Sequence, residues 1–375
     1  MIHNNERYPT IQQEWLLKAA ILDNDEAIKT WDKLRMNINV DQLDRGSFRL
    51  LPLLYRNLYN LGINDEMMNK LKTVRRSTWY NNQMLFHLTA NILDLFRKNG
   101  IETMVIKGAA VAYKYYKDLS LRPINDFDVL VKPDKALYAI ELLQDAGWKG
   151  RPIAPDIFSK KNLTTLHSWN FNDVLGRGFD LHWHLLPEFL SADADNDFWN
   201  MAKPFKVNNI STKIICRTDL LLHACIQATR ANKNITPIRY LADIFILIDS
   251  APAKINWNRL LIQATRLNMI LPVRETLNYI KFTLRAPIPW KVLANINNAN
   301  VSKIDKVGYK ARSRSRDLLG FFPSYWTLYL YQTLPDKSSS FHGFINFMKL
   351  YWGLKYVWQI PLTVIQRGFK HFVEN

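Results

Sequence analysis

The segment that most restricts this chain is DFDVLV, in which Asp126 and Asp128 stand one residue apart at the entrance to a β-branched run. On a β-strand, side chains at positions i and i+2 point to the same side. Two carboxylates held side by side repel each other unless a cation lies between them. Carboxylate oxygens bind hard divalent ions, and Mg²⁺ is usually held in this way beside substrate phosphates. The segment therefore predicts a strand that carries part of a metal site.

The size and charge of the chain limit its class and its partners. With 375 residues it can form one large domain or two to three ordinary ones. Hydrophobic residues make up 48%, which allows a substantial core and argues against global disorder. The formal net charge of +17 favours anionic partners, namely nucleotides, nucleic acid or an anionic membrane surface. A solvated basic surface explains this charge equally well.

The cysteines and the first residues bear on the compartment. Cys216 and Cys225 have no metal-ligand spacing to histidine, and we predict free thiols in a reducing compartment. The start, MIHNNERYPTIQQEW, lacks the basic-then-apolar layout of a signal peptide. No uncharged apolar run reaches the roughly 18 residues of a spanning helix. These features predict a cytoplasmic protein, and peripheral contact at the inner membrane face is a further expectation.

Hydrophobic periodicity divides the chain into four predicted regions. Residues 1–98 have helical periodicity. Residues 99–205 alternate strand, helix, strand and helix, which is an α/β signature and the predicted catalytic core. Residues 206–300 are again helical, and residues 301–375 form a basic, aromatic-rich helical tail. The predicted fold class is α+β, or mixed α/β: a small mixed sheet with helices, flanked by N-terminal and C-terminal helical regions.

A β-hairpin is predicted after this first strand–helix pattern. The runs HSWNFNDV and FDLHWHL flank LGRG (residues 175–178), where glycine supplies positive φ. In the second run Asp180, His182 and His184 alternate with apolar residues. One face of this strand is therefore polar and ionisable, while the other packs a core.

Three carboxylates form the predicted catalytic and metal site. A neighbouring strand of the same sheet would bring Asp180 beside Asp126 and Asp128. Three such acids can bind one or two Mg²⁺ ions, or Mn²⁺ in their place, which lower the pKa of an attacking hydroxyl and stabilise a leaving pyrophosphate. Asp180 is then the general base or a ligand of the catalytic ion. The alternative is that all three are ordinary surface acids.

The histidines of the hairpin have several interpretations. His182 and His184 share the face of Asp180, and we expect them to position groups or to handle protons. Zinc ligation beside the carboxylates is a second interpretation, and a structural hydrogen bond is a third. His167, at the start of the hairpin, is expected to face the same cleft.

The predicted nucleotide-binding residues are Lys107, Gly108, Arg122 and His182. Gly108 allows close backbone approach at a helix start, where free N–H groups favour phosphate. Lys107 adds a positive charge, and Arg122 would clamp a phosphate through two hydrogen bonds. The alternatives are an ordinary strand–helix turn at Lys107 and Gly108, and local charge balance by Arg122.

The stretch IKGAAVAYKYYKDLSLRPINDFDVLV resembles a pattern of the uncharacterised nucleotidyltransferase family, within the polymerase-β-like nucleotidyltransferase superfamily. FDLHWHL is similar to that family's strand with the third acid, and RTDLLLHACIQA and IRYLADIFILI resemble its following helices. The resemblance covers about residues 10–285.

This resemblance implies a small mixed sheet with helices packed on it. It also implies Mg²⁺-dependent transfer of a nucleotidyl group from an NTP, such as ATP, to a hydroxyl, with release of pyrophosphate. Residue by residue, it places Asp126 and Asp128 at the metal positions, Asp180 at the third acidic position and Gly108 at the glycine turn of the superfamily.

Function is therefore predicted as nucleotidyl transfer to a small molecule, a peptide or a carbohydrate precursor. The alternatives are a toxin-like enzyme that adds nucleotides to RNA, a phosphoryl-transferring enzyme with the same metal site, and a non-catalytic nucleotide-binding module. For Arg239 and Asp243 we expect a structural or acceptor-site role. The tail suits a helix on an anionic membrane, a basic face for nucleic acid, or helices packed on the core.

Overall fold

The computed structural model describes residues 9–150, 163–230, 237–312, 318–333 and 339–373. It has the mixed α/β architecture that the sequence predicts, with one seven-stranded sheet and seventeen α-helices among these residues. Contacts within the chain define two compact units, each made of three separate stretches. The first unit comprises Met1–His87, Lys107–Ile124 and Cys216–Arg314, and the second comprises Leu88–Ile106, Asn125–Ile215 and Ser315–Asn375. The four consecutive regions drawn from periodicity stay a prediction.

The second unit is built on the sheet. Its strands are β1 (Thr103–Val105), β2 (Asp126–Val131), β3 (Lys149–Gly150), β4 (Ser168–Asn172), β5 (Gly178–His182), β6 (Lys203–Val207) and β7 (Ile210–Ile214). Their order across the sheet is β3-β4-β5-β2-β1-β7-β6. β2 is parallel to β5 and β1 is parallel to β7, whereas the other neighbours are antiparallel.

β2 occupies the middle of the sheet, as its composition favours. Every residue of DFDVLV except Asp126 is buried. Phe127, Val129 and Val131 alternate with Asp128 and are fully buried, so one face of β2 belongs to the core. The strand predicted from DFDVLV is confirmed, and its position gives Asp128 a neighbouring strand on each side.

The predicted hairpin is confirmed as β4 paired with β5. Gly176 lies in its turn with a φ of 76°, a backbone conformation that glycine adopts without steric cost. A second hairpin, β6 with β7, was not predicted. It turns through Asn208 and Asn209 at φ values of 45° and 69°. Two consecutive residues with positive φ form the type of turn that asparagine tolerates, so the Asn-Asn pair was the available signal.

The first unit is helical. A buried polar contact joins two of its helices, because the side-chain amide of Asn57 donates to the carbonyls of Ala19 and Leu22 at 2.8 and 2.6 Å. Its helices are α1 (Ile11–Ile21), α2 (Asp25–Arg35), α3 (Arg45–Phe48), α4 (Leu51–Asn60), the first part of α5 (Met68–Lys98), α6 (Lys107–Val111), α9 (Arg217–Ala228), α10 (Ile238–Asp249), α11 (Trp257–Arg266), α12 (Ile270–Leu284), α13 (Trp290–Asn298) and α14 (Lys303–Arg312).

Two sequence predictions about this unit are confirmed. The helices expected in RTDLLLHACIQATRAN and PIRYLADIFILIDS are α9 and α10. Cys216 and Cys225 are both free thiols. Burial and the neighbouring Asp219 carboxylate raise the pKa of Cys216 to about 11, so this thiol is protonated at neutral pH.

The second unit also contains the remaining helices. These are α7 (Ala136–Asp145), α8 (Asn196–Met201), α15 (Leu318–Thr333), α16 (Phe341–Tyr351) and α17 (Gln359–Val373), with the last part of α5. The C-terminal helices form an aromatic core of their own around Tyr329, Phe344, Phe347, Met348 and Trp352. The basic segment KVGYKARSRSR begins in α14, and its residues 313–316 lie outside the described part of the chain.

The C-terminal helices also contact the loop that follows β5. The side-chain amide of Gln332 donates to the Pro187 carbonyl at 2.8 Å, and the rings of Tyr331 and Phe189 meet edge to face with centroids 5.7 Å apart. Five aromatic residues of these helices are thus buried in the second unit, namely Tyr329, Tyr331, Phe344, Phe347 and Trp352. This agrees with the interpretation of the tail as helices packed on the core.

One face of the tail remains exposed and apolar. Tyr356, Trp358, Leu362 and Ile365 are each about half exposed or more, and the rings of Tyr356 and Trp358 stack with centroids 6.1 Å apart. Residues 341–373 contain four Lys or Arg and no Asp or Glu. Within the described residues no helix is long and apolar enough to cross a bilayer. Peripheral membrane contact therefore stays a prediction, for which this face is the candidate.

In a flotation assay, we expect the full chain to rise with vesicles rich in phosphatidylglycerol, because aromatic rings and basic groups together favour an anionic interface. With phosphatidylcholine vesicles it should stay unbound in the bottom fraction. Trp358→Ser with Leu362→Ser should reduce flotation. Trp290→Ser with Ile262→Ser, which changes a similarly exposed tryptophan and isoleucine, is the control and should not. Equal flotation of both double variants would exclude this face as the contact.

Candidate active site

β2 and β5 bring the acidic residues together. The two strands are parallel neighbours, with Asp128 opposite Asp180 and Leu130 opposite His182. Residues directly opposite each other share a face of the sheet, and so do residues two apart on one strand. Asp128, Asp180 and His182 therefore lie on one face. The placement of Asp180 beside the strand of Asp128, expected from the sequence, is confirmed.

These three side chains form a tight, buried cluster. Their candidate ligand atoms all lie within 4.8 Å of one another. The imidazole Nε2–H of His182 donates to Asp128 Oδ1 at 3.0 Å. Relative exposures are 5% for Asp128, 9% for Asp180 and 1% for His182. The cluster is thus largely withdrawn from bulk water.

Neighbouring residues hold the cluster in place. Asn170 lies opposite Asp180 across the β4–β5 hairpin and donates its side-chain amide to Asp180 Oδ1. The rings of His167 and His182 meet edge to face with centroids 5.5 Å apart. His167 therefore lies beside the cluster, as the sequence suggested. Asn170 was not among the predicted residues, although its place opposite Asp180 follows from the hairpin register.

Burial makes the negative charges of this cluster costly. A desolvated carboxylate needs hydrogen bonds or a counter-charge, and two adjacent carboxylates each disfavour ionisation of the other. The hydrogen bonds from His182 and Asn170 offset part of this cost. A divalent cation between Asp128 and Asp180 would offset the remainder by neutralising both charges.

The donor set fits such an ion. Carboxylate oxygens suit Mg²⁺ and Mn²⁺, and an imidazole nitrogen adds a ligand that Mn²⁺ and later divalent metals accept more readily than Mg²⁺. Asp128 and Asp180 are the residues that would hold the ion. His182 would serve either as a third ligand or, through its hydrogen bond, as the group that orients Asp128.

Asp126 differs from its predicted partners. It is exposed at the first position of β2, and it is not a member of the cluster formed by described residues. Two residues along a strand correspond to about 6.6 Å, which places Asp126 further from Asp180 than Asp128 is. Its role as a metal ligand stays a prediction.

A family model described as uncharacterised nucleotidyltransferase matches residues 47–284. The chain belongs to this family. Among solved structures, it is similar to that of an antigenic nucleotidyltransferase-like protein from Paracoccidioides brasiliensis. That similarity has 13% identity and a TM-score of 0.35, and it covers 58% of this chain and 94% of the other. No curated protein matches the chain.

Family membership supports nucleotidyl transfer as the general activity. The residues matched by the family model include the whole cluster, since β2 and β5 lie within them. The predicted family is thus confirmed. The other site residues predicted for this chain lie outside the cluster.

His184 is separated from the cluster by the end of β5. The strand ends at His182, and the ring of His184 instead pairs with Asp195, with Nδ1 2.8 Å from Oδ2. The other oxygen of Asp195 accepts the backbone N–H of Leu185 at 3.1 Å. These bonds fix the chain just after β5. His184 therefore makes the structural hydrogen bond that was one of its three interpretations, and a contact with substrate stays untested.

Lys107 and Gly108 begin α6 in the first unit. Lys107 has a φ of 51°, and a Cβ added to Gly108 would lie 2.6 Å from Nη1 of Arg122. The close approach that requires glycine at this position is thus to a guanidinium of the same unit. The nucleotide-binding roles of Lys107 and Gly108 stay predictions.

Arg122 makes a buried double hydrogen bond with Asp243. Its Nε and Nη2 donate to the two carboxylate oxygens at 2.8 and 2.7 Å, and the Tyr116 hydroxyl donates to Asp243 Oδ1 at 2.9 Å. Burial alone would lower the pKa of Arg122, but the Asp243 carboxylate overcomes this and raises it. The Arg122 guanidinium therefore binds the Asp243 carboxylate. A contact between Arg122 and phosphate stays a prediction.

Gly108→Ala should lower the stability of the protein by about 1–3 kcal/mol, the usual cost of overpacking. The reason is that Asp243 fixes the guanidinium that the new methyl group would strike. Urea unfolding measures the loss. Gly178→Ala is the control, since its Cβ would meet only ordinary contacts at 3.6 Å or more. Equal urea concentrations at the unfolding midpoints of the two variants would show that the Arg122 side chain can move away from the new methyl group.

Proposed function

We propose that the protein is a divalent-metal-dependent nucleotidyltransferase that moves a nucleoside monophosphate from an NTP to a hydroxyl. The observation that carries the proposal is the register of β2 against β5, which unites Asp128, Asp180 and His182 in one buried cluster. Membership of a nucleotidyltransferase family connects this cluster to nucleotide chemistry. The proposed acceptors are a small molecule, a peptide or a carbohydrate precursor.

The proposed reaction exchanges one phosphorus–oxygen bond for another. The acceptor oxygen bonds to the α-phosphorus while the bond from that phosphorus to the bridging oxygen breaks, and pyrophosphate leaves with the electron pair. The acceptor proton passes to Asp180. A divalent ion, when bound, supplies Lewis-acid stabilisation of the phosphate charge and lowers the pKa of the hydroxyl.

The side chains around the cluster prepare this step. His182 fixes one oxygen of Asp128, and Asn170 fixes one oxygen of Asp180, so the two carboxylates need little reorganisation. Burial keeps bulk water away and strengthens electrostatic interactions at the site. Asp126 completes the proposed metal set, and Lys107 and Gly108 remain proposed nucleotide contacts.

The position of a radioactive label distinguishes this reaction from phosphoryl transfer. The full chain is incubated with Mg²⁺ or Mn²⁺, a desalted cell extract as the source of acceptors, and ATP labelled at the α- or γ-phosphate. We expect α-label in an acceptor and γ-label in pyrophosphate. Transfer of the γ-label instead would contradict the proposal and establish phosphoryl transfer.

A further inference from the structure

A separate basic cavity lies in the first unit, formed by helices α4 and α5 and the loop after α6. Its volume is about 380 Å³, which is within the size range of small-ligand sites. The described residues that line it are Tyr55, Lys72, Arg75, Arg76, Trp79, Asp118 and Ser120. None of them belongs to the Asp128 cluster, and the proposed reaction leaves the cavity without a role.

One wall of the cavity is rigidly held. Arg75 donates from Nε to the Ser120 hydroxyl at 2.7 Å and from Nη2 to Asp118 at 3.0 Å, while its guanidinium lies 5.6 Å from the centre of the Tyr55 ring. Asn82, one helical turn beyond the cavity, binds the carbonyls of Leu119 and Arg122. The loop is therefore fixed to α5, and the cavity is preformed.

The cavity carries a surplus of positive charge. In the part of the chain that the structure describes, Asp118 is the one acidic residue lining it, and that carboxylate is already paired with Arg75. Within the described residues, the lining side chains of Lys72 and Arg76 have no acidic partner. These two cations therefore lack a paired counter-charge, an arrangement that an anion would stabilise.

An exposed aromatic ring stands beside these cations. Lys72, Arg76 and Trp79 follow helical spacing on α5 and so share one face. Trp79 is 50% exposed although its ring is large and apolar. A ligand with an anionic group and a flat ring would satisfy both features, since arginine binds phosphate through a planar fork and tryptophan stacks on nucleobases.

We propose that this cavity binds a nucleotide unit, with its phosphate on Arg76 and Lys72 and its base stacked on Trp79. Such a unit has two sources, a free nucleotide or one residue of a single-stranded nucleic acid. This site is additional to the metal cluster, and it does not depend on the proposed transfer reaction.

Binding in EDTA separates the cavity from the metal cluster, because chelation removes metal-dependent binding of nucleotide there. The full chain is titrated with a fluorescein-labelled single-stranded RNA and, in a second arm, with a fluorescent ATP analogue. Arg76→Glu and Trp79→Ala should each weaken binding roughly tenfold, as expected for a lost phosphate contact and a lost stacked base. Loss in the RNA arm alone identifies a strand as the source, and loss in the ATP arm identifies a free nucleotide.

Lys291→Glu and Trp290→Ala are the matched controls. They remove the same charge and the same kind of exposed ring from α13 of the same unit. Their affinities should stay within about twofold of wild type, the usual range for surface changes. Melting temperatures confirm that all four variants fold. If the cavity variants match the controls in both arms, or if neither probe binds wild-type protein, the inference is wrong.

Discussion

Asp128→Asn is expected to reduce nucleotidyl transfer by roughly a thousandfold or more, a loss of about 4 kcal/mol in transition-state stabilisation. The amide keeps the size of the side chain but removes the charge that would hold a divalent ion. The same change should abolish Mn²⁺ binding, measured by electron paramagnetic resonance. Asp134→Asn is the control, because Asp134 is an exposed acid just after the same strand.

Stability gives this prediction a second readout. Without metal, Asp128→Asn should raise the melting temperature, because it removes one of two buried carboxylates that repel each other. Added Mn²⁺ should then stabilise wild-type protein and leave the variant unchanged.

His182→Gln, which preserves a donor toward Asp128, should lose less activity than His182→Ala. Wild-type Mn²⁺ affinity in Asp128→Asn would contradict the assignment.

Asp243→Ala is expected to lower the stability of folding by about 3–5 kcal/mol, because it leaves the Arg122 guanidinium buried without its partner. Both side chains of this ion pair are 2% exposed, and the Tyr116 hydroxyl would lose its acceptor as well. Urea unfolding followed by circular dichroism measures the change. The double variant Arg122→Met with Asp243→Leu should recover part of the loss, since it removes both charges together.

Asp94→Ala provides the comparison for a surface ion pair. Asp94 pairs with Arg97 and Lys98 on the exposed side of α5, and solvent screening leaves such pairs with little effect on stability. Asp243→Ala should therefore be several times more destabilising. Equal effects of the two substitutions would show that the Arg122–Asp243 pair does not support the first unit.

The local features of the cluster of Asp128, Asp180 and His182 could be predicted from the sequence. Alternation in DFDVLV and FDLHWHL identified two strands and the faces that carry Asp128 and Asp180, and the glycines between the runs identified the hairpin turn. These signals are local, because they depend on side-chain period and on backbone preference at single positions. The family pattern then joined the two strands into one site.

Features that depend on distant contacts could not be predicted in the same way. The partner of Arg122 is Asp243, 121 residues further along the chain, and no local pattern specifies that pair. The inclusion of His182 in the cluster, with Asp126 left at the exposed end of β2, follows from the parallel register of β2 and β5. Likewise His184 shares the alternation of β5 but follows its last residue, where the chain leaves the sheet.

Anomalous diffraction from crystals grown with Mn²⁺ and a non-hydrolysable ATP analogue would locate the metal relative to Asp128 and Asp180. We expect an anomalous peak at about 2.0–2.3 Å from carboxylate oxygens of both Asp128 and Asp180, with the triphosphate beside it. A bound nucleotide with its metal elsewhere, or a cluster without a peak under saturating Mn²⁺, would contradict this expectation.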